Sequence, residues 1–118
     1  MQPTLKPIIK ICCISSIEEA WTAINYGASA LGFVSHMPSG PGIISEELIA
    51  KIVPQIPPPI ATFLLTSSQN TQEIIQQIKG CGTNTVQICD KIKSGNYQDI
   101  REASPGISIV QVIHVTSE

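Results

Sequence analysis

Charge is the first thing this chain lacks. Asp, Glu, Lys and Arg make up only 14% of its 118 residues, against the ~25% usual in globular proteins. Seven basic and nine acidic residues leave a net charge of −2, too little of either sign to steer the chain toward nucleic acid or an anionic membrane. Neither partner is expected. Aromatic residues are also scarce, at 4%, so the core has to be built from aliphatic side chains, and its many isoleucines suit strands as well as helices. No apolar run approaches the ~18 residues of a membrane span. Met1 to Ser16 carries two lysines but no small-residue cleavage site, so it does not read as a secretory signal. The expectation is a soluble cytoplasmic protein with reduced thiols. Cys12 and Cys13 are adjacent, Cys81 and Cys89 stand far from them, and no C-x-x-C spacing calls for a metal.

What is present is an alternation. Ile8 to Ile14 is a short β-branched run closed by Ser15-Ser16, as a buried strand should be. Ser15-x-x-Glu18 and Ser16-x-x-Glu19 are alternative capping boxes for a helix whose Ile17, Ala20, Trp21, Ile24 and Ala28 share one face, which places Trp21 in the core. Gly27 ends that helix, and Ala30 to Val34 is the second strand. The same sentence then repeats. A helix runs from Ser45 to Val53 and stops at Pro54, and Ile60 to Leu65 is the third strand. Asn70 caps Thr71 to Lys79, with Gly80 and Gly82 closing it and Cys81 in the turn between them. Thr85 to Ile88 is the fourth strand, a helix follows from Gly95 or Asn96 to Ala103, and Ile107 to Val115 is the fifth strand.

A β-α-β-α-β-α-β-α-β order demands a parallel sheet covered by helices. The fold class is α/β, either an open doubly wound sheet or part of a TIM (β/α)8 barrel. A complete barrel takes about 250 residues, so residues 1–118 are expected to form a single domain holding about five parallel strands with intervening helices. In both architectures ligands sit at the carboxyl ends of the strands. The residues there are Cys12 and Cys13, the Ser35 to Ile44 loop, Thr66 to Ser68, Cys89 and Asp90, and His114.

Lys10-Ile11-Cys12-Cys13-Ile14, then Gly27-Ala28-Ser29-Ala30-Leu31-Gly32-Phe33-Val34, then Val86-Gln87-Ile88 closely resemble phosphoribosylanthranilate isomerase of tryptophan biosynthesis, whose pattern reads K-I-C-G-I, G-A-D-A-L-G-F-V and V-Q-L-H-G. The resemblance runs in register from Lys10 to Val115. It is closest to a branch with an M-P-S-G-P-G loop, here Met37 to Gly42, and a V-Q-V-I-H-V fifth strand, here Val110 to Val115. The arginine of the commoner S-P-R loop is absent, Cys89 replaces the histidine of V-Q-L-H-G, and Cys13 replaces the glycine of K-I-C-G.

The resemblance implies an amino-terminal portion of the isomerase barrel and an Amadori rearrangement of N-(5'-phosphoribosyl)anthranilate, with Cys12 as the catalytic base and no metal or organic cofactor. It also implies that the general acid, an aspartate after strand six, and the phosphate-binding amides after strands seven and eight lie beyond Glu118. The chain alone is therefore expected to be inactive or nearly so, since losing a general acid alone removes ~10²–10⁴-fold in rate. Ser39, Gly40, Cys89, Asp90 and His114 are the candidate substrate-binding residues. Each has a plainer reading beside the functional one. Cys12 is also a small hydrophobe in a strand, Ser39-Gly40 a turn, Asp90 a helix cap or solvated loop residue, and His114 a satisfied histidine. Cys13 alternates away from Cys12 and is expected to pack against a helix.

Two other classes of function stay open: a small open-sheet module that binds an anionic metabolite, and a self-associating half barrel. The unpaired edges of strands one and five point to a homodimer or higher oligomer.

Overall fold

The computed structural model describes residues 7–38 and 40–116. The elements follow one another as β1 (Lys10–Ile11), α1 (Ile17–Asn25), β2 (Ala30–Val34), α2 (Glu46–Ile52), β3 (Ala61–Thr66), α3 (Thr71–Cys81), β4 (Thr85–Ile88), α4 (Tyr97–Ala103) and β5 (Ser108–Gln111). Each helix starts where a side chain accepts from its free first-turn amides. Ser16, Ser45, Asn70 and Asn96 do this for α1 to α4, and Asn96 with Asp99 forms a reciprocal capping box. At α1 the box is shifted by one residue: Ser16 Oγ accepts from Glu19 N–H, while the Glu19 carboxylate accepts from Ser15 N–H at 2.7 Å. Ser15 Oγ donates to the same carboxylate oxygen at 2.5 Å, and this bond together with the one from Ser15 N–H holds the Glu19 carboxyl below its usual range.

All five strands are parallel and stand in sequence order, β1-β2-β3-β4-β5. Right-handed crossovers between successive neighbours put every connecting helix on the same side of the sheet. A doubly wound sheet reverses its strand order to cover both faces; this one does not, and it is a partial TIM barrel of five strands. Leu31 and Phe33 of β2, Leu64 of β3, and Val86 and Ile88 of β4 alternate onto the helix side and are fully buried against Ile49, Ile74 and Ile100. At ~1.5–3 kcal/mol for each large aliphatic or aromatic side chain removed from water, this layer is the main source of stability. A half-buried polar string ties α2 and α3 to the strand ends: Thr66 Oγ1 donates to Gln77 Oε1 at 2.6 Å, and Gln77 Nε2 donates to Glu46 Oε2 at 3.2 Å.

Several sequence expectations need correction. The fourth strand has its predicted bounds, but the first and fifth are much shorter than Ile8–Ile14 and Ile107–Val115. Cys13 takes φ 63° and turns the chain out of the first strand, and pairing resumes only with Ile14 N–H donating to Gly32 O at 3.1 Å. At the other edge Val112 N–H reaches Ile88 O at 2.9 Å, where β4 ends, and the residues beyond it have no strand beside them. Pro54 does not stop its helix outright, because one 3-10 turn, Val53–Gln55, accommodates it. Helix α3 runs through Gly80 to Cys81, so Cys81 is a buried last-turn residue, and Gly82 at φ 78° provides the left-handed cap. Trp21 is not core: its side chain is 41% exposed. No helix among the described residues is long and apolar enough to cross a membrane.

Candidate active site

The second face of the sheet is concave and carries no helices. Register places Lys10 beside Ala30, Gly32 beside Phe63, and Phe63 beside Thr85, with Gln87 two pairs further on against Leu65 and Val110. Alternation therefore brings Lys10, Gly32, Phe63 and Gln87 to one surface. Lys10 binds the Gln87 carboxamide through Oε1, and its ammonium lies 4.3 Å from the centroid of the Phe63 ring. A cation over an aromatic face is worth about 0.5–1 kcal/mol at an exposed site and more when desolvated, so this contact fixes the floor of the concavity across three strands. The sequence motifs contain Lys10, Gly32 and Gln87, but none of these residues, nor Phe63, is among the site residues expected from the sequence. The signal was the i, i+2 spacing of Lys10 and Cys12, which puts both on one face of a strand.

Cys12 stands just beyond β1 at the carboxyl rim and is exposed. Its thiol lies across Gly32: a Cβ on that glycine would sit 3.0 Å from Cys12 Sγ and 3.2 Å from Cys12 Cα. Glycine is needed there for lack of space, since its own backbone is unstrained. Cys13, expected against a helix, is exposed instead. Its left-handed backbone swings the side chain to the loop after β2, where Sγ lies 3.7 Å from Pro41 O and a Cβ on Gly42 would come within 2.6 Å of both Cβ and Sγ. That loop returns to the sheet through a bridge between Val34 and Ile43, and Ser67 Oγ donates to His36 O at 3.3 Å. It forms a rim over β1, β2 and β3. Gly40 is exposed in it at φ 118° with open space where a side chain would be. Ser39 lies outside the described residues.

At the far side of the rim Cys89 N–H donates to Thr66 O at 2.9 Å. Burial pushes the Cys89 thiol up, the Asp90 charge adds to this, and Lys10 opposes it. Cys89 is therefore a neutral thiol at pH 7. His114 Nε2 lies 2.9 Å from Cys89 O, and Gln111 Nε2 donates to Asp90 O at 3.1 Å. Asp90 caps no helix, since α4 starts at Tyr97 behind Asn96; it is a half-buried loop residue. Thus Cys89, Asp90 and His114 form one group after β4 and β5, and Cys12, on the other side of β2 and β3 in the sheet, is still near enough across the concavity to raise the Cys89 thiol further. No group of three His, Cys, Asp or Glu among the described residues is placed to hold a metal ion.

Cys81 contrasts with the rim thiols. It is 1% exposed, and burial, with the Glu46 and Glu47 charges adding, pushes its thiol up to about 12. A maleimide at pH 7 should modify Cys12 and Cys13 in the folded chain and leave Cys81 untouched until the chain unfolds, which mass spectrometry of the labelled peptides will read. Cys81 also makes stability pH-dependent. The unfolded thiol loses its proton near 9.0 and the folded one near 12, so its contribution is complete below pH 9 and falls as pH rises between those values. A Cys81→Val chain should lack that component of the alkaline slope.

No protein-family model matches the chain. Among curated proteins it is 27% identical over 109 residues to N-(5'-phosphoribosyl)anthranilate isomerase of Thermosynechococcus vestitus, covering 92% of this chain and 47% of that protein. It is 31% identical over 108 residues to the second such isomerase of Methanosarcina mazei, covering 91% and 48%. The chain thus spans about half the length of the curated relatives it matches. Among solved structures it superposes on phosphoribosyl anthranilate isomerase of Thermotoga maritima with a TM-score of 0.72 at 24% identity, over 88% of this chain and 49% of the other. The isomerase solved with reduced 1-(o-carboxyphenylamino)-1-deoxyribulose 5-phosphate gives 0.76 at 24% identity, over 92% and 54%.

Proposed function

From a chain related to the phosphoribosylanthranilate isomerases over nearly its own length and about half of theirs, we propose that it supplies the amino-terminal half of an isomerase barrel. Its contribution is the base of an Amadori rearrangement on a phosphorylated sugar-anthranilate substrate. In that reaction an acid protonates the ribose ring oxygen, the C1'–O bond breaks, and the anilino nitrogen lone pair forms the C=N bond of a Schiff base. A base then takes the C2' proton, and the C2'–H electrons become the C=C bond of an enolamine. Acid and base have to stand on opposite sides of the sugar. The observation that carries the reading is Cys12 at the carboxyl rim, its thiol laid across Gly32 toward the open concavity. Cys89, Asp90 and His114 fit the opposite rim as substrate-binding groups, and Gly40 fits the covering loop.

The acid and the phosphate clamp of this chemistry belong to the second half of the barrel, so the reading is tested by supplying it. The chain alone should show no turnover above background, and its fusion to the carboxyl-terminal half of the Methanosarcina mazei relative should turn over N-(5'-phosphoribosyl)anthranilate. A folded fusion without turnover, or full activity from the chain alone, would reject the proposal.

A further inference from the structure

The two sheet edges carry a surface that the catalytic reading leaves unexplained. Apart from Ile43 and Trp21, every large apolar side chain exposed among the described residues lies at one edge or the other. Ile8, Ile9, Ile11 and Tyr26 flank β1, and Tyr97, Val110, Ile113 and Val115 flank β5. At the β1 edge Ile9, Ile11, Ile14, Ala23 and Tyr26 line a groove of about 400 Å³ between β1 and α1, with Glu18 and Glu19 also on its walls. At the β5 edge Ile113 lines a hollow with Tyr97 and Lys91. The charged residues that line the two hollows are opposite in sign, Glu18 and Glu19 at β1 and Lys91 at β5.

The shape of the edges narrows the occupant. Both edge strands are shorter than their apolar patterns, and the remainder after β5 with no strand beside it is Ile113 to Val115. Val110 faces the concavity beside Gln87, so alternation puts Ile109 and Gln111 on the helix side, where Gln111 Oε1 accepts from Tyr97 Oη at 2.8 Å. Ile113 lines a hollow with Tyr97 of α4, which puts it on the helix side too, and Ile113 and Val115 are 79% and 89% exposed. The groove beside β1 is also on the helix side, because Lys10 points the other way. An end bearing two exposed aliphatic side chains, with a lysine beside it, is what an apolar groove walled by two glutamates would accept, and this chain carries such an end.

Resting on the half-barrel reading, we propose that a second copy of this chain docks head to tail, its β5 edge against β1 of the first. Ile113 and Val115 of one copy fill the groove between β1 and α1 of the other. Two such seams close a symmetric dimer with no free edge, whereas a single seam would leave one edge open to further addition. The dimer and a complementary half barrel compete for the same edges, so self-association holds the half barrel in an inactive form.

Sedimentation velocity at ~20 μM tests this. The chain should sediment at twice the mass of one copy. A chain with Ile113→Asp and Val115→Asp, or one with Ile11→Asp, should sediment as a single copy, its dissociation midpoint raised at least ~10²-fold by a carboxylate buried without a partner. These positions are exposed in the single chain, and unchanged circular dichroism will verify that the variants fold. Mixing the two variants should restore a dimer, because one seam of each mixed pair is intact. A monomeric wild-type chain, a wild-type mass retained by the variants, or a mixture that stays monomeric would overturn the proposal, as would a monomer that binds only a carboxyl-terminal half barrel. None of these results bears on turnover by the fused chain, so the two readings fail separately.

Discussion

Cys12→Ser in the completed barrel should lower turnover by at least ~10²-fold with little change in substrate affinity, because a hydroxyl is a far weaker base than a thiolate while its size is nearly the same. Steady-state kinetics of the fused chain will measure this, and unchanged turnover would remove Cys12 from the mechanism. Cys13→Gly is the control. Cys13 holds a left-handed backbone at φ 63°, a conformation costing a non-glycine residue about 1–2 kcal/mol, and its thiol reaches the loop after β2 and not the concavity. The glycine variant should keep the turnover and raise the midpoint of thermal unfolding. Opposite effects from adjacent cysteines would separate a chemical role from a conformational one at a single turn of the chain.

Why the two cysteines diverge was only half legible in the sequence. Strand alternation predicts Cys12 and Cys13 on opposite faces, with Cys13 against a helix, but it assumes that the strand continues past Ile11. The left-handed residue at Cys13 breaks the alternation, and nothing in the order of side chains announces a positive φ at a cysteine. The interior strands were legible because their patterns are dictated by local burial: Ala30 to Val34 and Thr85 to Ile88 have neighbours on both sides and occupy their predicted bounds. The edge strands were over-read for the same reason, since an apolar pattern records the neighbours a segment is suited to, and the single chain supplies only one. Trp21 was misplaced because a helical stripe wide enough to include it is wider than the sheet strip that α1 covers. At the site, the resemblance marked Cys12 and the rim positions. Lys10 over Phe63 could be found only once register had brought β1, β3 and β4 together.

The two sheet faces make the last prediction. Phe33 on the helix side is 0% exposed, and Phe33→Ala should cost ~3–5 kcal/mol, since the helices packed on it close only partly over the cavity. Against a total stability of about 5–15 kcal/mol, much of the single chain should then be unfolded at 37 °C. Phe63 is on the concave side and half-buried, its ring held beneath Lys10. Water already reaches one face of it, so Phe63→Ala should cost about half as much in the single chain. Completion of the barrel changes that comparison. Three further strands would roof the concavity, Phe63 would lose its remaining contact with water, and its alanine penalty should rise toward that of Phe33. Urea unfolding of both variants, in the single chain and in the fusion, measures all four values. A Phe63 penalty that is the same in both would mean that the added half does not close over this face, and the fused chain would then have no enclosed site in which Cys12 could work.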